Sequence, residues 1–80
     1  MVLQAVLFDR FKWSTEDAKQ WLKEHSFHPI KKVHITDKYK QFRITELDYK
    51  KYKYRINYGD NGISFIIGVL PDLFPDPFDD

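Results

Sequence analysis

Asp48-Tyr49-Lys50 is the nearest approach in this sequence to a catalytic motif. It matches the D-x-K half of a metal-dependent nuclease site. Such a site needs an earlier acid placed to share the metal, and only Asp37 stands in the same basic region. One half of a constellation does not make a site, because catalysis needs several groups in mutual geometry. The nitrogen ligands are His25, His28 and His34. The first two are three residues apart, but the second falls beyond the expected end of a helix, and no third ligand follows at a zinc-like spacing. Ser14, Ser26 and Ser64 have no nucleophile context, and there is no glycine-rich phosphate loop. The sequence therefore reads as non-enzymatic, with no catalytic residue, metal site, cofactor or small-molecule substrate assigned.

The stronger signal is one of binding. Residues 31–55 hold nine basic residues against three acids (Asp37, Glu46 and Asp48), a net of +6, interleaved with Tyr39, Phe42, Tyr49, Tyr52 and Tyr54. Cations neutralise phosphates and flat rings stack on bases, so the mixture suits DNA or RNA. The candidate contacts are Lys31, Lys32, Lys40, Arg43, Lys50, Lys51, Lys53 and Arg55. Tyr39 or Tyr49 would stack or hydrogen-bond at the edge. Tyr52, Tyr54 and Tyr58 alternate in phase with Ile56, which places them in the core. The same cations also suit a solvated outer sheet face whose lysines guard against aggregation.

These side chains need elements to position them. Residues 2–9 (VLQAVLFD) read as a strand covered on both faces. Ser14 begins the one clear helix as its N-cap, with Glu16 and Asp17 in the first turn and Trp13 placed to staple against Ala18. Ala18, Trp21, Leu22 and His25 form one apolar stripe ending in a histidine. The helix is expected to stop near His25 and Ser26 without a glycine cap. Phe27 packs back, and Pro29 forbids continuation. Residues 30–36 and 39–46 alternate and read as a hairpin around Thr36-Asp37-Lys38. A charged loop follows. Residues 52–58 alternate most cleanly, with Tyr52, Tyr54, Ile56 and Tyr58 on one face and Lys53, Arg55 and Asn57 on the other. Gly59-Asp60-Asn61-Gly62 is a turn signal. Residues 63–70 are apolar on both faces and belong centrally in a sheet. The order β-α-β-β-β-β gives an α+β two-layer fold, one helix packed on a mostly antiparallel four- to five-stranded sheet. If the hairpin and the following strand are neighbours, Lys32, Gln41, Arg43, Lys53, Arg55 and Asn57 form a grid above the open face.

Eighty residues make one small domain, assigned to residues 1–70. The absence of cysteine excludes disulfide staples and fits a reducing compartment. The longest apolar run is far short of a membrane span, and the N-terminus lacks the basic region of a signal peptide. The net charge of +1 hides an asymmetry: all thirteen Lys and Arg precede residue 56, while four of the twelve acids fall in the last nine residues. Residues 71–80 read as an extended or disordered acidic tail in which Leu73, Phe74 and Phe78 could meet a partner, or fold back on the domain and compete with phosphates. An alternative to nucleic-acid binding is a protein-interaction module, homodimeric through a sheet edge or engaged through this tail.

The helix pattern Trp13-Ser14-x-Glu16-x-Ala18-x-x-Trp21-Leu22-x-x-His25 continues into Tyr39-x-x-Phe42-Arg43, Gly62-Ile63 and Gly68. It resembles a pattern in short proteins of large DNA viruses, Marseillevirus-like giant viruses foremost, and similar segments occur in some tailed-phage proteins. The resemblance covers most of residues 2–70 and leaves the tail outside. The phage pattern has glycine after the histidine, where this chain has Ser26. The resemblance implies a viral protein without enzymatic activity, carried in the virion or made in the host cell interior and not secreted. Genome binding or packaging, or a structural place in the virion, are the roles it favours.

Overall fold

The two most apolar strands lie side by side in the middle of the sheet, and the shortest strand and a cationic strand take its edges. A computed structural model describes residues 1–71 of the chain. The elements are β1 (Val2–Asp9), α1 (Thr15–Glu24), β2 (His34–Ile35), β3 (Tyr39–Arg43), β4 (Lys53–Tyr58) and β5 (Ile63–Val69), in the expected order. All five strands form one antiparallel sheet, ordered β2-β3-β1-β5-β4. With one helix on one face, the fold is α+β. β1 and β5 can be buried on both sides without stranding a charge, which is why they are central. At the margins, β2 is only two residues long and β4 carries Lys53 and Arg55, and both features discourage edge-to-edge association.

The helix covers the middle of one face. Val6 and Phe8 of β1, Phe42 of β3 and Ile63 of β5 meet Ala18 and Leu22 of α1 in the buried cluster, with Trp13, Trp21, Phe27 and Phe65 packed around it. Phe8 is its hub: its ring meets Trp13, Trp21 and Phe42 edge-on at 5.1, 5.7 and 5.5 Å. Edge-to-face contacts of this kind add to the gain from area alone.

Both helix ends follow from the sequence. Ser14 Oγ accepts the Asp17 N–H at 3.1 Å. At the other end the Phe27 N–H bonds to the Leu22 carbonyl and the Ser26 N–H to the Lys23 carbonyl, with Ser26 at φ 61°. That is a Schellman closure with serine in the left-handed position usually held by glycine. Phe27 packs against the buried cluster that contains Leu22, the apolar contact that accompanies such a closure. His25 stacks on Trp21 at 3.8 Å, and its Nδ1 lies 2.8 Å from the Trp21 carbonyl oxygen.

The first hairpin strand is shorter than the alternation predicts. Only His34 and Ile35 pair with β3, opposite Gln41 and Lys40. The Ile30 N–H still reaches the Arg43 carbonyl at 2.9 Å, but residues 31–33 bow away between these two attachments. Lys31 and Lys32 are solvated by this bow while Val33 turns in to the core. The tail residues Leu73, Phe74 and Phe78 lie outside the described residues.

Candidate functional site

The register decides which cations can act together. Side chains directly opposite in neighbouring strands share a face. Arg43 stands opposite Ala5, Ala5 opposite Ile66, and Ile66 opposite Ile56. Gln41, Leu7, Ser64 and Tyr58 form the next row, and Gly68 and Tyr54 pair beyond Ile66. None of these rows contains Val6, Phe8 or Phe42, so this is the open face, opposite the helix. Lys53, Arg55 and Asn57 oppose Val69, Ile67 and Phe65, in phase with the helix side.

The grid expected above one surface does not form, for two reasons. β3 and β4 are not neighbours but are separated by β1 and β5. Gln41 and Arg43 also face away from the helix, whereas Lys53, Arg55 and Asn57 face its side. Lys40 likewise sits on the helix side opposite Phe8, and its Nζ donates to the Trp13 carbonyl at 2.8 Å. Lys50 and Lys51 lie in a turn, with the Lys51 ammonium 5.3 Å from the Tyr52 ring centre.

Three of the candidate cations do converge. Lys31, Lys32 and Arg43 line a cleft of about 250 Å³ with His34 and Gln41. Glu46 partly compensates them, at 3.4 Å from Lys31 Nζ and 3.9 Å from Arg43. These ion pairs are exposed and worth at most about 1 kcal/mol, so an incoming phosphate can displace the glutamate.

The tyrosines assigned to the core are on the open face instead. Tyr54, Ile56 and Tyr58 of β4 do share a face, as their alternation predicts, but it is the uncovered one. Tyr58 is 75% exposed and Ile56 42%. The loop from β3 to β4 adds Tyr49, 76% exposed, whose ring meets Tyr54 edge-on at 5.5 Å. The Tyr54 hydroxyl accepts the Asp48 N–H at 2.7 Å, which fixes the loop over the strand. A shallow hollow of about 300 Å³ lies among Gln4, Gln41, Leu47, Tyr49, Tyr54, Ile56 and Ile66, and Arg55 also borders it from the edge strand. Gln41 lines both the hollow and the basic cleft, so the two adjoin at that residue.

Asp48 has a different occupation from metal binding. Its Oδ1 accepts the N–H groups of Lys50 and Lys51 at 3.1 and 3.2 Å, which builds the turn. Asp37 lies in the turn before β3, at the end of the sheet where Tyr39 pairs with Asp9. Asp48 is at the other end, beside Tyr54. The two carboxylates cannot share a metal. Among the described residues no group of three His, Asp or Glu is placed to hold a metal ion. No described helix is long and apolar enough to cross a membrane. No protein family, curated protein or solved structure matches this chain.

Proposed function

We propose that this protein is a non-enzymatic module that binds single-stranded nucleic acid on the open face of its sheet. The observation that carries the reading is the group of rings on this face, exposed Tyr49 and Tyr58 with half-buried Tyr54, beside the cleft of Lys31, Lys32 and Arg43 that Gln41 also lines. Bases stack on the rings and phosphates enter the cleft, an arrangement that tolerates any sequence because every base has a π-face. The open face carries no helix to enter a duplex groove, so unpaired strands are the preferred ligand. In the viral setting implied by the sequence resemblance, the role is genome packaging or a virion component.

Fluorescence anisotropy with a labelled single strand and a duplex of equal length tests this. The single strand binds more tightly. Tyr58→Ala and Tyr49→Ala each weaken it by about 1–3 kcal/mol, roughly 5- to 150-fold. Unchanged affinity in both variants, or a preference for the duplex, overturns the reading.

A second reading rests on Ile56 and Leu47, which are exposed beside the free edge of β4. Exposed apolar surface at an unpaired edge favours a homodimer or another protein partner. Light scattering separates the two: a dimer abolished by Ile56→Lys, with no nucleic-acid binding, puts the second reading in place of the first.

A further inference from the structure

A larger concavity than the hollow or the cleft lies on the other side of the sheet. It is a groove of about 720 Å³ between the second half of α1 and residues 27–33. Its floor is apolar, built from Leu22, Phe27, Ile30, Val33 and Phe42. Its rim is cationic: Lys19 and Lys23 stand on the helix side, Lys31 and Lys32 on the loop side. Leu22 and Phe42 are buried beneath it, but Ile30 remains 48% exposed. The volume is that of a ligand site, for which about 300–1,000 Å³ is usual. An apolar floor inside a ring of ammonium groups fits a short peptide that alternates carboxylates with bulky apolar side chains.

We propose that the occupant is this chain's own acidic segment, residues 72–80. Its sequence, DLFPDPFDD, carries four carboxylates to set against the four lysines, and Leu73, Phe74 and Phe78 to set against the floor. Its starting point is suitable. β5 runs toward the end of the sheet where Gly68 pairs with Val2. Ile30 is anchored to Arg43 at that same end, where the Ile44 N–H reaches the Gln4 carbonyl. β5 is two strands from β3, about 10 Å across the sheet. Nine residues can span about 30 Å, so the segment reaches the groove without strain. Among the described residues, Lys31 is the one rim lysine with a carboxylate partner, Glu46 at 3.4 Å, and that pair is exposed and weak.

The inference stands on the groove and does not depend on the nucleic-acid reading, but the two sites share residues. Lys31 and Lys32 border both the groove and the cleft on the open face. A segment docked on these lysines lowers the positive potential seen by a phosphate, and by linkage a bound phosphate weakens the docked segment.

The chain has no cysteine, so Asp80→Cys gives a single attachment point for a spin label on the full-length protein. In nuclear magnetic resonance spectra recorded without nucleic acid, the label is expected to quench the amide signals of Phe27, Ile30, Lys32 and Val33. The signals of Ile56 and Tyr58 remain. Charge reversal at the exposed positions Lys19→Glu and Lys23→Glu restores the quenched signals, as does Phe74→Ser with Phe78→Ser. Uniform or absent quenching overturns the proposal. So does quenching that persists in both variants. Quenching seen only when labelled and isotope-enriched chains are mixed assigns the groove to a second copy and overturns the intramolecular form.

Discussion

Ser26 holds a conformation that costs a side-chain-bearing residue about 1–2 kcal/mol, the left-handed region at φ 61°. It does so because two backbone hydrogen bonds and the packing of Phe27 against the buried cluster close the helix around it. Glycine adopts this region freely but loses more freedom on folding, a loss of about 0.5–1 kcal/mol. The steric relief is the larger of the two, so Ser26→Gly is expected to stabilise the fold by about 0.5–1 kcal/mol. For a domain of this size that corresponds to a rise of about 2–8 °C in Tm, measurable by thermal circular dichroism. An unchanged or lower midpoint would show that the serine side chain compensates for its backbone. Gly68 is the opposite case. Its conformation is unremarkable, but a Cβ there would sit 2.8 Å from Tyr54 Cε1 and 3.0 Å from Val2 Cγ1. Gly68→Ala must push the Tyr54 ring, which also anchors the Asp48 turn. The expected cost is about 1–3 kcal/mol, as for other overpacked sites. It would be read as a lower midpoint in urea, accompanied by weakened single-strand binding. A variant of wild-type stability would mean that Tyr54 is free to move and does not fix the open face.

Alternation along a strand states which side chains share a face, and no more. The grouping of Tyr54, Ile56 and Tyr58 against Lys53, Arg55 and Asn57 is legible in residues 52–58. Which group is covered is not, because that depends on how far the helix reaches. α1 is ten residues long, about 15 Å, and a helix is about 10–12 Å wide with its side chains. Five strands at about 4.8 Å spacing make a sheet about 19 Å across. One helix centred on β1 therefore shields β3 and β5 and leaves β4 beyond its margin. Lys53 and Arg55 can occupy the helix side of β4 because no helix lies over them there. The tyrosines take the open side, where Tyr49 and the β3–β4 loop supply partial cover. The Ser14 cap, the end of the helix before Phe27, the turn at residues 59–62 and the central places of β1 and β5 were all readable, because each is dictated by local chemistry or by apolarity on both faces. The order of the strands was not. Consecutive strands usually pair, yet β3 and β4 lie on opposite sides of the β1–β5 pair. Burying two strands whose one charged side chain, Asp9, sits at a strand end outweighs the shorter connection. That order also decides the candidate site: Lys31, Lys32 and Arg43 stand together, while Lys53 and Arg55 are in phase with the helix side.

At the scale of the whole molecule the question is how many cations one ligand can meet. The sequence carries eight candidate contacts in residues 31–55. Aligned on one surface, they would release counterions from eight phosphates. For a single strand, log Kd then rises with log salt at a slope of about 0.7 per phosphate, or about 5.6 in all. The fold distributes them over two faces and both margins of the sheet, and only Lys31, Lys32 and Arg43 form one cleft on the ringed face. Three phosphates give a slope of about 2. On the proposed reading the tyrosines add affinity with little salt dependence, since stacking involves no counterion release. The expected behaviour is therefore binding that weakens only gently between low and physiological salt, with most of the affinity lost by removing rings rather than charges. Arg43→Gln is expected to lower the slope by about 0.7 and Lys40→Gln to leave it unchanged, because Lys40 is spent on the Trp13 carbonyl. Anisotropy titrations at four or more salt concentrations give the slope directly. A value near that for eight contacts, with Lys40→Gln reducing it, would mean that the ligand wraps both faces of the sheet, and the single-face site would have to be abandoned.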